Sequence, residues 1–206
     1  MYEKLEGNYL RHERKVIVTV NDSDFHKEAK PSAIMGYFQD VAVEHAEILG
    51  LGGSMTREKN LAWILVRVSI VTARPPQTGE CLSVLTFPEK PGSFDVNRGY
   101  YIFDERGELI VSGSSKWCVL DISEFKIQRC APFFKDFDDA SFIPSPPFED
   151  ANRRLKGLAG MGYTMEKPLA FVVQVSDLDQ NYHVNNTRYG SGAEDSVNYR
   201  WRFLIY

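Results

Sequence analysis

A chain of 206 residues with 43% apolar content can bury a core of its own and has room for one large domain or two small ones. A net charge of -4 argues against a nucleic-acid footprint spread over the surface. The longest purely apolar run, Leu61 to Val66, falls far short of the roughly 20 residues a membrane span needs. The opening stretch from Met1 to Lys15 has no apolar segment behind its charges, so neither export nor membrane insertion is expected. Three cysteines, Cys81, Cys118 and Cys130, are odd in number and lack C-x-x-C spacing. A disulfide framework or thiolate zinc site is therefore not expected, and a reducing cytoplasm fits.

In chain order, "KVIVTVN" from Lys15 alternates and predicts a short strand with Val16, Val18 and Val20 on one face. "PSAIMGYFQDVAVEHAEILG" then places Ile34, Phe38, Val41, Ala42, His45 and Leu49 at helical spacing, with Ser32 as candidate N-cap and Gly50 as the stop. Gly36, inside that helix, costs about 1 kcal/mol relative to alanine and marks either a close approach or a tolerated defect. Four strands are predicted next: "LAWILVRVSIVTAR" from 61, "ECLSVLTFP" from 80, "FDVNRGYYIFD" from 94 and "ELIVSGSSKWCVLDI" from 108. They are rich in β-branched and aromatic residues, and the turn chemistry of "PPQTG", "EKPGS" and "DERG" separates them. One strand, one long helix and consecutive strands with short turns define an α+β layer in which an antiparallel sheet wraps a helix, the hot-dog arrangement.

From 126 to 166 the texture changes, with Pro132, Pro144, Pro146 and Pro147 among acidic residues, and reads as a linker with a short helix near "NRRLKGLAG". "LAFVVQVSDLD" resumes as a strand, and a polar loop and helix start follow. That order repeats the one at 15 to 40. The expected division is a first hot-dog domain over 1–125, a linker over 126–166 and a partial second hot-dog domain over 167–206.

The segment "SDLDQNYHVNNTRY", Ser176 to Tyr189, concentrates the chemistry. Asp177, Asp179 and Asn181 match the first three ligand positions of a calcium loop, but Tyr182 replaces the required glycine and Arg188 the closing glutamate. Zinc or iron would need a second histidine or a cysteine, which the segment lacks. Acid-base work suits these residue types better. Fully extended, Asp179 and His183 would stand roughly 13 Å apart at ~3.3 Å per residue, so cooperation requires a turn into a helix capped by an asparagine of "HVNN". Such a helix start offers N–H groups to a developing negative charge. Asp179 would then orient or deprotonate a water, Asn181 would supply an amide donor, and His183 titrates near neutrality. A capped polar turn without chemistry is the competing reading of the same residues.

The sequence resembles the acyl-acyl-carrier-protein thioesterases of plants and bacteria over roughly residues 12 to 189. The resemblance rests on "FQDVAVEHAEILGLG", "LAWILVRVSIVTARPPQTGE", "FDVNRGYYIFDERGELI" and "SSKWCVLDI", in the family's order and spacing. "SDLDQNYHVNNTRY" is similar to the family's D-x-N-x-H-V-N-N segment. The resemblance implies tandem hot-dog domains, the first lining an acyl tunnel and the second carrying catalytic Asp179, Asn181 and His183. The implied reaction is hydrolysis of fatty acyl-acyl carrier protein to free fatty acid in fatty acid biosynthesis, with no metal or organic cofactor. The implied partner is an acidic acyl carrier protein, for which Arg153, Arg154 and Lys156 form a candidate docking surface. Glu44 and His45 read as a structural helix-face pair. Trp63 and Trp117 suit either strand packing or tunnel walls.

After Tyr189 the resemblance stops, because Gly190, Ser191 and Gly192 are expected to interrupt the helix and "YRWRFLIY" offers one strand. A second domain that is incomplete at its C-terminal side is therefore expected. It arises either from a shifted or shortened reading frame or from a shortened relative that completes its sheet with a partner chain, as in a homodimer. A silent acyl or carrier-protein binding remnant and a hot-dog thioesterase for coenzyme A substrates are the alternative functions.

Overall fold

The computed structural model describes residues 10–143, 172–178, 184–194 and 203–205. Its centre is an antiparallel sheet: β1 (His12–Ile17), β2 (Leu61–Thr72), β3 (Cys81–Pro88), β4 (Val96–Phe103), β5 (Leu109–Asp121), β6 (Lys126–Gln128) and β7 (Phe203–Ile205). The strand order is β1-β3-β4-β5-β2-β7, with β6 paired to β5 outside that path. Helices α1 (Pro31–Ile48), α2 (Gly53–Glu58) and α3 (Asn186–Glu194) complete the described elements. All four long strands read from the sequence are present, and the sheet wraps α1 as the hot-dog reading requires.

Alternation in β3 and β4 turns Leu82, Val84, Tyr100 and Ile102 toward Ile34, Phe38, Val41 and Ala42 of α1, and these residues form the main core. Phe38 lies flat on Tyr100, ring centroids 4.3 Å apart. It fits because Gly113, paired with Tyr100 across β4 and β5, has no side chain; a Cβ there would stand 2.3 Å from Phe38 Cε2. A second cluster joins Leu51, Val96 and Phe134 to Trp63, Trp117, Phe137 and Phe142, so part of the stretch from 126 onward packs against the sheet. Trp63 also donates to the Leu51 carbonyl at 2.9 Å.

α1 starts differently from the sequence reading. Lys30 is the N-cap, without a side-chain cap bond, and Pro31 occupies the first turn, which places Ser32 inside the helix. A proline there needs no N–H and already has helical φ, so it replaces the cap that Ser32 was expected to supply. The end is as read: Gly50 has φ 71, its N–H donates to Glu47 O, and Leu51 N–H donates to Ala46 O. Those two bonds make a Schellman stop, and buried Leu51 seals it. The first strand also starts and ends earlier than expected, at His12 and Ile17. Asp22 accepts from both the N–H and the hydroxyl of Thr19, which turns the chain and leaves Val20 exposed.

Glu44 and His45 serve the fold. Glu44 accepts from His12 Nε2 at 3.2 Å and from Arg14 Nη1 at 2.9 Å, tying α1 to β1. His45 is fully buried, and its Nδ1 lies 3.0 Å from Arg98 Nη1 on β4. Arginine has no acceptor, so Nδ1 receives that bond. Arg98 also donates to Thr86 Oγ1, and burial lowers its pKa.

Candidate functional site

The polar segment is built from its edges inward. The strand expected over "LAFVVQVSDLD" is replaced in its described part by a 3-10 turn, Val175–Asp177, with Val172 and Val175 exposed. The cause is Asp177. Its carboxylate accepts from Gln174 N–H at 2.8 Å, closing a capping box that bends the chain out of extended geometry. Asp177 is buried, and Arg188 Nη2 stands 2.6 Å from its Oδ1, pairing the charge. Arg188, which spoils the calcium pattern, is thus the residue that holds the segment to α3. Nothing in its spacing alone announced that role.

Leu178 and Val184 then pair as an antiparallel bridge, and Asn185 N–H donates to Asp177 O at 2.8 Å. Asp179, Asn181 and His183 fall between those bridged residues in sequence and lie outside the described residues, as do Arg153, Arg154 and Lys156. Asn185 is the predicted helix cap: its Oδ1 accepts from Thr187 N–H at 3.0 Å and from Thr187 Oγ1 at 2.8 Å. Arg188 N–H donates to Asn185 O. The helix start therefore spends two of its donors on its own cap, leaving fewer for a ligand than a bare helix terminus would offer.

α3 runs through Gly190, Ser191 and Gly192 without interruption. The expectation of a break fails because Gly190 is a contact residue. It is buried against α1, where a Cβ would stand 2.8 Å from Met35 Sδ and 3.5 Å from Ser32 Cα. Missing side-chain bulk lets the two helices approach, and that packing offsets the glycine's poor helix propensity. Beyond α3, Phe203–Ile205 forms the one strand expected of the chain end and adds to β2, with Val68 opposite Ile205.

Where α1, the sheet and α3 meet, a small cleft opens to solvent. Met35 and Phe38 of α1, Leu65 and Val68 of β2, and Trp117 of β5 give it apolar walls, and Asn186, the first residue of α3, stands at it. The β2–β5 register shifts between Leu65 and Arg67, a bulge at the cleft wall. Trp117 is thus both packing residue and cleft wall. Tyr100, Ser115 and Gln39 also line it, and its exposed surface is almost wholly apolar. Sequence reading missed them, although Ser115 and Trp117, two apart on β5, carry the period-2 signal that puts them on one face. Among the described residues, no group of three His, Cys, Asp or Glu side chains is placed to hold a metal ion, and no helix is long and apolar enough to cross a membrane.

A sheet wrapped around a long central helix, with an apolar cleft beside it, defines a hot-dog protein. The profile of the acyl-ACP thioesterase N-terminal domain matches residues 9–136, and that of the C-terminal domain matches residues 163–202. The chain belongs to the acyl-ACP thioesterase family. The second match also runs past Tyr189, where the sequence resemblance had been ended, and takes in the whole of α3. A palmitoyl-acyl carrier protein thioesterase of Cuphea hookeriana is 28% identical over 172 residues, which cover 79% of this chain and 41% of that protein. The chain thus spans about two fifths of that relative's length. In structure it is similar to an acyl-ACP thioesterase from Bacteroides thetaiotaomicron, with TM-score 0.77 and 23% identity over 91% of this chain and 74% of that one. The 12:0-ACP thioesterase of Umbellularia californica follows, with TM-score 0.69 and 18% identity over 95% and 78% of the two chains.

Proposed function

We propose that this chain hydrolyses the thioester of fatty acyl-acyl carrier protein, with Asp179, Asn181 and His183 as its catalytic residues. The observation that carries the reading is the apolar cleft at Asn186, because the family's D-x-N-x-H-V-N-N segment ends on that residue. An acyl chain in the cleft would bring its thioester to this segment. Water adds to the carbonyl carbon, the carbon–sulfur bond breaks, and the sulfur leaves as the phosphopantetheine thiol after taking up a proton. Asp179 orients the water or takes its proton, Asn181 donates to the carbonyl oxygen as charge develops there, and His183 serves proton transfer at neutral pH. The tunnel side lies in the unit matched over residues 9–136, which includes β6, and the catalytic side in the one matched over residues 163–202. Cys81, Cys118 and Cys130 are all free thiols, which supports action in the reducing cytoplasm.

Free-thiol release from matched acyl carrier protein and coenzyme A thioesters tests the reading. Carrier-protein thioesters are expected to turn over, and Asp179→Asn and His183→Ala each to lower the rate at least tenfold. Carrier binding without turnover would leave a binding remnant, preference for coenzyme A thioesters would change the substrate class, and unchanged variants would remove the assigned residues.

A further inference from the structure

The arm that leads into the catalytic segment is poorly buried. Val172 is 80% exposed, Val175 88% and Leu178 37%, so apolar burial does little to fix the arm in place. Asp177 is the exception, at 3%. Its two carboxylate oxygens are divided: Oδ2 accepts from Gln174 N–H at 2.8 Å within the arm, and Oδ1 faces Arg188 Nη2 of α3 at 2.6 Å. A carboxylate this deep needs a cation beside it, and Arg188 supplies one.

The ion pair, the Leu178–Val184 bridge and the bond from Asn185 N–H to Asp177 O together close a neck. Asp179, Asn181 and His183 all belong to the stretch between Leu178 and Val184, so both ends of that stretch are fixed by the neck. On its far side α3 is seated on α1 through Gly190. From this geometry we infer that Asp177 and Arg188 are a positioning pair for the hydrolysis, setting the arm against α3 so that the groups that orient water and move protons meet the thioester in register. Neither side chain takes part in the chemistry. A displacement of about 1 Å in groups that do costs on the order of a hundredfold in rate. The inference rests on the assignment of Asp179, Asn181 and His183 to that reaction. Neither residue of the pair lines the cleft, so acyl-chain binding is left to other side chains.

The test is steady-state hydrolysis of acyl carrier protein thioesters by the full chain, well below the melting temperature of each variant. Arg188→Met is expected to lower kcat at least about fivefold with KM within about twofold of wild type. Arg188→Lys should recover part of that loss, because the contact is made by one nitrogen and an ammonium can replace it. Asp177→Asn still accepts from Gln174 and should lose kcat in the same way. Because the two act through one contact, the Asp177→Asn/Arg188→Met double variant should be no slower than the slower single variant. A smaller loss of kcat in Arg188→Met, a loss carried by KM, no recovery with lysine, or single losses that multiply in the double variant would each overturn the inference. If Arg188→Met does not fold, Asp177→Asn decides by the same kcat and KM criteria. Wild-type turnover with an unaffected Arg188→Met would remove this role and leave the hydrolase standing, whereas no turnover by the wild type would remove the hydrolase and the role with it.

Discussion

Helices α1 and α3 pack against each other and are stabilised in opposite ways. α1 has 18 residues, starts on a proline with no side-chain cap, ends in a Schellman stop and buries Ile34, Met35, Phe38, Val41, Ala42 and His45. α3 has nine residues, two of them glycine, starts on the Asn185 cap and holds its first turn to the preceding segment through Arg188 and Asp177. A nine-residue helix with that composition is not stable alone in water. It persists because Gly190 meets Met35 and Ser32, and because Thr187 faces Gly36. The site segment thus stands on packing supplied by the first unit, while the first unit carries its own core.

That asymmetry can be broken from either side. Phe38→Ala, which empties the contact with Tyr100 and Gly113, should cost about 3–5 kcal/mol in denaturant unfolding and take both helices with it. Gly190→Ala should cost about 1–2 kcal/mol, the overpacking against Met35 less the alanine's gain in propensity. The loss should be local: hydrogen exchange is expected to accelerate in α3 while α1 and the sheet keep their protection. Equal acceleration throughout would show one cooperative unit and end the contrast. Asn185→Ala should act in the same place at about 1 kcal/mol, through the lost cap.

How much of this was legible depended on whether a signal was local. The strands from 61, 80, 94 and 108 and the end of α1 at Gly50 were readable because alternation and a left-handed glycine are written in neighbouring residues. Asn185 as a cap was readable for the same reason. Ser32 was misplaced because a proline one position earlier satisfies the helix start without a side chain. The strand over 172–177 failed because Asp177 finds Gln174 N–H and Arg188, and no period reveals those partnerships. Gly190 and Gly192 look like breakers in one dimension, and Gly190 becomes a contact only when α1 is placed beside it. The contact between Tyr100 and Ser115 was invisible for a similar reason: they lie on different strands, and their meeting depends on register.

A charge cluster on the sheet side makes stability depend on pH. Arg74 grips Glu80 with both guanidinium nitrogens, at 2.5 and 3.1 Å, and reaches Asp104 at 2.8 Å. The hydrogen bonds from Arg74 hold the Glu80 carboxyl below its ordinary range. A carboxylate depressed in the folded state adds stability above its unfolded pKa, about 4.3, and loses it as pH falls through the folded value. Arg74→Met should therefore cost about 1 kcal/mol at pH 7, and the difference from wild type should shrink progressively below about pH 4. Chemical denaturation at several pH values measures it; a pH-independent difference would mean that Arg74 acts through packing alone.

The smallest effect has the opposite sign and tests the helix contact most directly. A Cβ at Gly36 would stand 4.0 Å from Thr187 Cγ2, ordinary van der Waals contact, with α1 otherwise regular there. Gly36→Ala should gain up to about 1 kcal/mol from helix propensity and add one apolar contact to α3. Gly190→Ala, on the facing helix, gains the same propensity but must move Met35 to make room. If the two glycines are alike, both substitutions shift stability in one direction. If α3 is seated through Gly190, Gly36→Ala raises the melting temperature while Gly190→Ala lowers protection in α3, and the double variant adds the two effects only when the helix pair has separated.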